Sequence, residues 1–306
     1  MTRRLTRRVL WGILTIICIY VFTFTMVVLV PGNPLGDAER NIPREVEQAL
    51  RVRYSMDNNW LYFWEFLGGA VRLDFGPSFT YRDWTCNQII AHALPVSLMV
   101  GSMAILLAVM FGVPLGVISA RTRNRGLDVA VTGCTLLGIS LPTFVVGTVL
   151  LLGFAVKLQL APVGGWGTLA HLPLPVLTLS IPFMVYIARL TRVAMVDVLG
   201  SDFVRTALAK GMPPRTVVWK HALRVAFLPV LSYLGPAAAQ AMTGSFVVEK
   251  VFGVPGLGQH FVNAALNRDP GLIMATVVVF STILVALNLA IDVVYERLDP
   301  RISGAV

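Results

Sequence analysis

The sequence predicts an all-α membrane protein with six transmembrane helices and one sizeable extracytoplasmic loop. Three observations lead there. Of its 306 residues, 56% are hydrophobic and only 13% charged, with a mean hydropathy of +0.74. A soluble domain carries about 25% charged residues, so this chain lacks the polar surface that water requires. The apolar residues gather into six long runs, and the basic residues lie between alternate runs.

The first run, Val9–Val30, follows Arg3, Arg4, Arg7 and Arg8 and is long enough to cross a hydrocarbon core about 30 Å thick. A basic stretch before an apolar one imitates a signal peptide. This run, however, ends in Pro31-Gly32-Asn33-Pro34 with no small-x-small cleavage pattern, so an uncleaved first span is expected over residues 1–30.

Residues 31–93 form the extracytoplasmic loop. Within it, Pro43 to Arg53 reads as an amphipathic helix opened by proline. Trp60-Leu-Tyr-Phe-Trp-Glu-Phe-Leu67 is apolar and aromatic, which suits the membrane interface. The loop is too short for an independent core and is expected to pack on the membrane domain or on a partner.

Residues 94–306 hold the other five spans, Leu94–Ala120, Leu127–Leu152, Leu172–Ala188, Phe227–Val248 and Leu272–Tyr295. Helix breakers stand inside them: Pro114 between Gly112 and Gly116, Pro142 after Gly138, and Pro173, Pro175 and Pro182 in the fourth. An interior proline costs about 3 kcal/mol in a soluble helix, and membrane proteins accommodate it where neighbouring helices or water satisfy the freed backbone. The breakers predict bent helices, serving either a cavity or packing alone. Gly112 and Gly116 also match a small-xxx-small helix contact.

Six spans place both termini on one side, and charge selects the side. Four arginines precede the first span. Arg121, Arg123 and Arg125 follow the second. Arg189, Arg192, Arg205, Lys210, Arg215, Lys220 and Arg224 follow the fourth, and Arg297 and Arg301 follow the sixth. The short opposite connections hold only Lys157, Lys250 and Arg268. The positive-inside rule makes both termini cytoplasmic. It also accounts for the net charge of +9 without nucleic acid, because the basic residues are not interleaved with aromatics on a globular surface.

Catalytic signatures are absent. The chain has no phosphate-binding G-x-x-x-x-G-K-[ST], no H-E-x-x-H and no Cys-x-x-Cys. Cys18 and Cys134 lie in apolar runs and Cys86 stands alone, so neither a disulfide framework nor a metal spacing is visible. His92, His171, His221 and His260 are each isolated, three at the outer ends of spans and one in the cytoplasmic segment, and read as interfacial polar residues. Neither an enzyme, a bound cofactor nor a metal site is predicted.

The segment between spans four and five, residues 197–226, is the most informative. Ser201 is placed to cap a short polar helix starting at Asp202. Lys210 suits its last turn, and Gly211 can adopt the left-handed conformation that ends a helix. Pro213 and Pro214 then block continuation and open a second helix carrying Arg215, Lys220 and Arg224. A helix-glycine-helix displayed on the cytoplasmic face makes a docking knob. The bland alternative is that its charges face water or anionic headgroups.

Three ordered blocks carry a resemblance that covers nearly the whole chain. The first is Leu67-Gly-Gly-Ala-Val-Arg-Leu-Asp-Phe-Gly-Pro-Ser78 before Leu94-Pro95. The second is Ile187-Ala-Arg-Leu-Thr-Arg192 with Asp202-Phe-Val-Arg-Thr-Ala-Leu-Ala-Lys-Gly211 and His221-Ala-Leu-Arg-Val-Ala-Phe-Leu-Pro229. The third is Val248-Glu-Lys-Val-Phe-Gly-Val-Pro-Gly-Leu-Gly258 with Asn267-Arg-Asp269 and Asp292-Val-Val-Tyr-Glu-Arg-Leu-Asp-Pro-Arg301. Together they resemble the permeases of ABC importers of the dipeptide/oligopeptide/nickel branch, in particular the first of its two permease types. The chain departs from that family at Leu208, where a basic residue is usual, and at Met212-Pro-Pro214, which replaces a more open link.

The resemblance implies a type I importer permease fold in a bacterial cytoplasmic membrane. It implies a second homologous permease, two ABC ATPase subunits that hold ATP and magnesium, and an extracytoplasmic substrate-binding protein as partners. Dipeptides, oligopeptides, glutathione, nickel chelates and haem all fall within its substrate range. It assigns Asp202, Arg205, Thr206, Ala207, Lys210, Gly211 and Arg215 to ATPase coupling, with Ala207 and Gly211 small so that the helix enters a cleft.

Candidate pathway residues are Glu249, Gly253, Pro255 and Gly256. The irregular backbone expected from Gly253 to Gly258 is the kind that lines a cavity. Glu249, Lys250 and Asp292 all stand close to span ends, where snorkelling or an ion pair also satisfies them. A secondary transporter driven by an ion gradient, the alternative reading, needs ionisable groups at mid-membrane, and none is convincingly central.

Overall fold

Nearly every stretch of the backbone that the sequence marks as apolar winds into helix. A computed structural model of the chain describes residues 2–29, 58–81 and 83–298. The expected amphipathic helix at Pro43–Arg53 lies outside the described residues. The principal helices are α1 (Thr2–Leu29), α2 (Asn59–Val71), α3 (Cys86–Arg121), α4 (Gly126–Ser140), α5 (Thr143–Lys157), α6 (Pro173–Leu199), α7 (Asp202–Ala209), α8 (Pro214–Ala226), α9 (Leu228–Met242), α10 (Phe246–Phe252), α11 (Leu257–Leu266) and α12 (Pro270–Leu298).

Four of these, α1, α3, α6 and α12, are long and apolar enough to cross a bilayer. Two bent pairs, α4 with α5 and α8 with α9, bring the total to six. The bends sit at two of the chain's proline positions. α4 and α5 meet at 104° where Leu141 and Pro142 leave the helical conformation, and α8 and α9 meet at 54° just before Pro229. Pro114 and Pro182, by contrast, lie inside continuous helices, so these prolines do not break their spans.

Span boundaries correct the sequence reading in three places. α3 begins at Cys86, eight residues before the apolar run, and α6 continues to Leu199 past Arg189 and Arg192, because polar residues end an apolar run without ending a helix. The fifth span ends at Met242 rather than Val248. There Gly244 takes a left-handed φ of +89°, and the Ser245 hydroxyl accepts from the Val248 N–H at 3.4 Å to start α10.

The chain divides into two compact units, one from Met1–Ser97 with Pro255–Ala286, the other from Leu98–Val254 with Leu287–Val306. In the first, Tyr20, Phe66, Phe75, Ile89, Ile90, Leu257, Leu272 and Met274 form a core. The Tyr20 hydroxyl donates to the Phe63 carbonyl at 2.7 Å, joining α1 to α2. Tyr62, Phe63 and Phe66 of α2 turn inward while its Trp60 and Trp64 stay exposed. Its start is capped by the Asn58 side chain, which accepts from the N–H groups of Trp60 and Leu61.

In the second unit α6 is the hub, packing against α4, α5, α8, α9 and α10. Its contact with α3 depends on two glycines. A Cβ on Gly112 would lie 2.6 Å from the Met184 carbonyl oxygen, and one on Gly116 would lie 2.5 Å from that of Ala188. The small-xxx-small pattern thus lets two helix backbones touch.

Candidate functional site

The segment after the hub helix is built from local backbone chemistry. α6 stops at Leu199, and Ser201 takes an extended conformation at the N-cap of α7. Its hydroxyl does not cap α7, as the sequence suggested. It donates backward to the Val198 carbonyl at 2.5 Å, beside the Ser201 N–H that donates to the same oxygen at 3.1 Å. The favourable charge at the start of α7 comes from Asp202 instead.

The C-terminus of α7 matches expectation. Lys210 is the C-cap and Gly211 follows with φ +79°. The Gly211 N–H donates to Leu208 and the Met212 N–H to Ala207, at 2.9 and 3.2 Å, the paired hydrogen bonds of a Schellman turn. Pro213 and Pro214 leave the turn and start α8, whose middle, Val217–Ala222, widens into a π-helical turn. Val204 on α7 and Val217, Val218 and Ala222 on that turn are buried where the two elements pack.

The remaining faces of α7 stay open. Asp202, Arg205, Thr206, Lys210, Gly211 and Arg215 are exposed and Ala207 is half-buried. Arg205 and Asp202 approach to 3.6 Å, an exposed pair of little energetic weight. Phe203 and Leu208, each 44% exposed, add apolar surface beside these charges. The predicted coupling residues are therefore gathered on one short exposed helix, its closing turn and the first turn of α8.

Ten residues before α7, Arg192 holds a carboxylate that sequence reasoning did not single out. Asp128, in the first turn of α4, is buried. It accepts from Arg192 Nε at 2.6 Å and Nη2 at 2.7 Å, from Ser119 Oγ at 2.6 Å and from the Asn124 N–H at 3.0 Å. The group ties the α3–α4 turn to α6. An isolated acid beside three arginines in a connecting loop is the only signal of it in the sequence.

The pathway candidates sit on the α10 side. Glu249 is 3% exposed on α10. Gly253 ends that helix in the left-handed region at φ +62°, and the Gly165 N–H donates to Phe252 at 2.9 Å, so the turn is pinned to the loop before α6. Pro255 and Gly256 begin the stretch that leads into α11.

Asp269, another buried acid, organises the loop end of the first unit. One of its oxygens accepts from Ser78 Oγ at 2.6 Å and the Thr80 N–H at 2.8 Å, and the other accepts from the Leu272 N–H at 3.0 Å to cap α12. Nearby, the Tyr81 hydroxyl lies 3.2 Å from His260 Nδ1. The sequence blocks at Gly76–Ser78 and Asn267–Asp269 meet here.

Residues 112–304, which include the hub helix, α7 and α10, match the family described as binding-protein-dependent transport system inner membrane component. The chain belongs to that family. The permease is 41% identical to the oligopeptide transport system permease protein OppB of Salmonella typhimurium, over 99% of each chain. It is 41% identical to the dipeptide transport system permease protein DppB of Bacillus subtilis, over 94% of each. Its backbone resembles a subunit of the MetNI methionine ABC transporter, with a TM-score of 0.58 and 19% identity over 69% of the permease and 96% of that chain, which shows a shared fold. The chain is thus a multi-pass inner-membrane permease subunit of an ABC importer, not its ATPase, and nothing favours a secondary transporter.

Proposed function

We propose that this permease imports peptides, forming half of a translocation pathway with a second homologous permease. Two ABC ATPase subunits bind beneath the pair, and an extracytoplasmic binding protein delivers the substrate. Both termini face the cytoplasm. Full-length identity to permeases named for oligopeptide and dipeptide transport supports the substrate class.

One observation carries the coupling role: a short, charged, exposed helix closed by a Schellman turn, joined through only Gly200 and Ser201 to the hub helix α6. Nucleotide-driven movement of ATPase subunits would displace Asp202–Gly211, and the rigid turn would pass that displacement to α6 and α8. The spans then alternate between two packed arrangements biased by nucleotide at one end and delivered substrate at the other. Arg205, Lys210 and Arg215 supply positive charge for acidic groups on the ATPase, while Ala207 and Gly211 keep the approach open.

Co-expression of the tagged permease with its candidate partners tests this. The assembled complex is expected to retain ATPase subunits through purification and, with the binding protein, to accumulate labelled peptide in vesicles only when ATP is supplied. Peptide uptake by the permease alone, driven by an ion gradient, overturns the reading.

A further inference from the structure

The two limbs that flank the coupling segment enclose a cleft of about 600 Å³, a size typical of small-molecule sites. One wall is a single stripe of α6, on which Tyr186, Arg189, Val193 and Asp197 recur at helical spacing. The other wall is Val225 of α8 and Pro229 of α9. Most of the lining is apolar, and the two charges stand toward opposite ends. Arg189 and Asp197 are both exposed, and neither side chain has a hydrogen-bond or ion-pair partner among the described residues. By contrast, Arg192, on the same helix, is fully engaged by Asp128.

Eight residues of α-helix separate Arg189 from Asp197, a rise of about 12 Å. An extended peptide advances about 3.3 Å per residue, so three or four residues span that distance. The cation can take a terminal carboxylate in a charge-assisted, two-pronged contact, the anion can take a terminal ammonium, and the apolar wall accepts side chains of any identity. A free amino acid is too short to reach both.

We propose that this cleft is a subsite for short peptides with free termini, Arg189 receiving the carboxylate and Asp197 the ammonium. The proposal rests on the peptide-import reading and specifies it. Because residues 199–224 connect the two walls, movement of α7 changes the width of the cleft, so occupancy and coupling are linked.

The test is equilibrium binding of labelled tri-alanine to the complete permease–ATPase complex in lipid nanodiscs without binding protein, so that both faces are accessible. Binding of the free tripeptide is expected, with N-acetylation and C-amidation each weakening it at least tenfold. Arg189→Gln should lower affinity for the free peptide about tenfold and leave that for the amide unchanged. Asp197→Asn should do the same with respect to the acetylated form.

Equal affinity for free and blocked peptides overturns the proposal, as does an equal loss of both forms in each variant. The blocked-peptide comparison needs only the unaltered complex, so it decides even if a variant fails to assemble. A complex that imports tri-alanine with its binding protein yet binds none without it removes the subsite and leaves peptide import standing. A complete transporter that imports no peptide removes the parent reading as well.

Discussion

Arg192 of α6 grips Asp128 of α4 with two parallel hydrogen bonds, Nε at 2.6 Å and Nη2 at 2.7 Å. The carboxylate also takes the Ser119 hydroxyl and the Asn124 N–H, so three connected elements close on one acid. The hub helix is thereby anchored ten residues before α7 begins. In the proposed coupling, such an anchor gives a displacement of α7 something to work against.

Removing one partner leaves the other charge stranded, at a cost of about 2–3 kcal/mol, less than for a deep pair because the Arg192 side chain is 28% exposed. Arg192→Ala is expected to lower the thermal stability of the detergent-solubilised complex. Arg192→Lys should recover only part of it, since an ammonium cannot reproduce the two-pronged geometry. Equal stability of Lys and Arg variants in a thermal-shift assay contradicts this.

The contact of α3 with α6 makes a second prediction. A methyl group at Gly116 meets both the Ala188 carbonyl at 2.5 Å and Thr191 Cβ at 2.6 Å, and neither is the end of a flexible side chain. Gly116→Ala should therefore cost about 1–3 kcal/mol through overpacking, and Gly116→Leu more. Gly133, whose added Cβ meets nothing within 4 Å, is the internal control, and Gly133→Ala should be neutral or stabilising. Thermal unfolding of the purified variants measures both.

Acidification acts on the first unit. Burial holds the His260 imidazole below the usual histidine range, so the folded protein keeps it neutral beside the Tyr81 hydroxyl. The unfolded chain then binds more protons than the folded one as pH falls below about 6.5. Stability contributed by neutral His260 is present above that pH and declines as pH drops through it. The midpoint of thermal unfolding should fall between about pH 7 and pH 5, and His260→Gln should flatten that slope.

Asp269 makes a companion case on the same unit. Three donors converge on its buried carboxyl, from Ser78, Thr80 and Leu272. Asp269→Asn turns one acceptor into a donor facing donors, so about 1–3 kcal/mol should be lost. Limited proteolysis should then cut more readily between Asp74 and Thr85, the stretch that Asp269 holds.

Legibility in the sequence depends on whether the signal is local. The six apolar runs, the Gly211 stop and the Pro214 start are readable because backbone conformation at glycine and proline is set by the residue itself. Gly112 and Gly116 are recognisable as a pattern, although only packing shows that two carbonyls of α6 occupy the space. Ser201 misleads because a hydroxyl at a helix junction has a donor ahead and a carbonyl behind within reach, and composition cannot say which is nearer. The end of the fifth span is hidden because Thr243-Gly-Ser245 is brief and lies between apolar runs. The long-range pairings of Asp128 and Asp269 cannot be read. The distant partners lie 64 residues away, at Arg192, and 191 residues away, at Ser78, and long-range pairing leaves no periodic trace in one sequence.

Gly211 separates two explanations of the coupling turn. One is conformational: φ +79° closes the Schellman turn, and a residue other than glycine or asparagine resists that region by about 1–2 kcal/mol. The other is spatial: a side chain here meets nothing in this chain within 4 Å, so any clash must come from a docked partner. Asn tolerates the left-handed conformation but has bulk, whereas Ala is small but strained there. If conformation governs, Gly211→Asn should retain most substrate-stimulated ATP hydrolysis and Gly211→Val should lose it. If space governs, Gly211→Ala should outperform Gly211→Asn. The two hydrogen bonds that the turn makes through Gly211 and Met212 favour the first order, Asn above Ala above Val. Membrane insertion and complex assembly, followed on native gels, should be unchanged in all three. ATP hydrolysis that is indifferent to every substitution removes the turn from the coupling path.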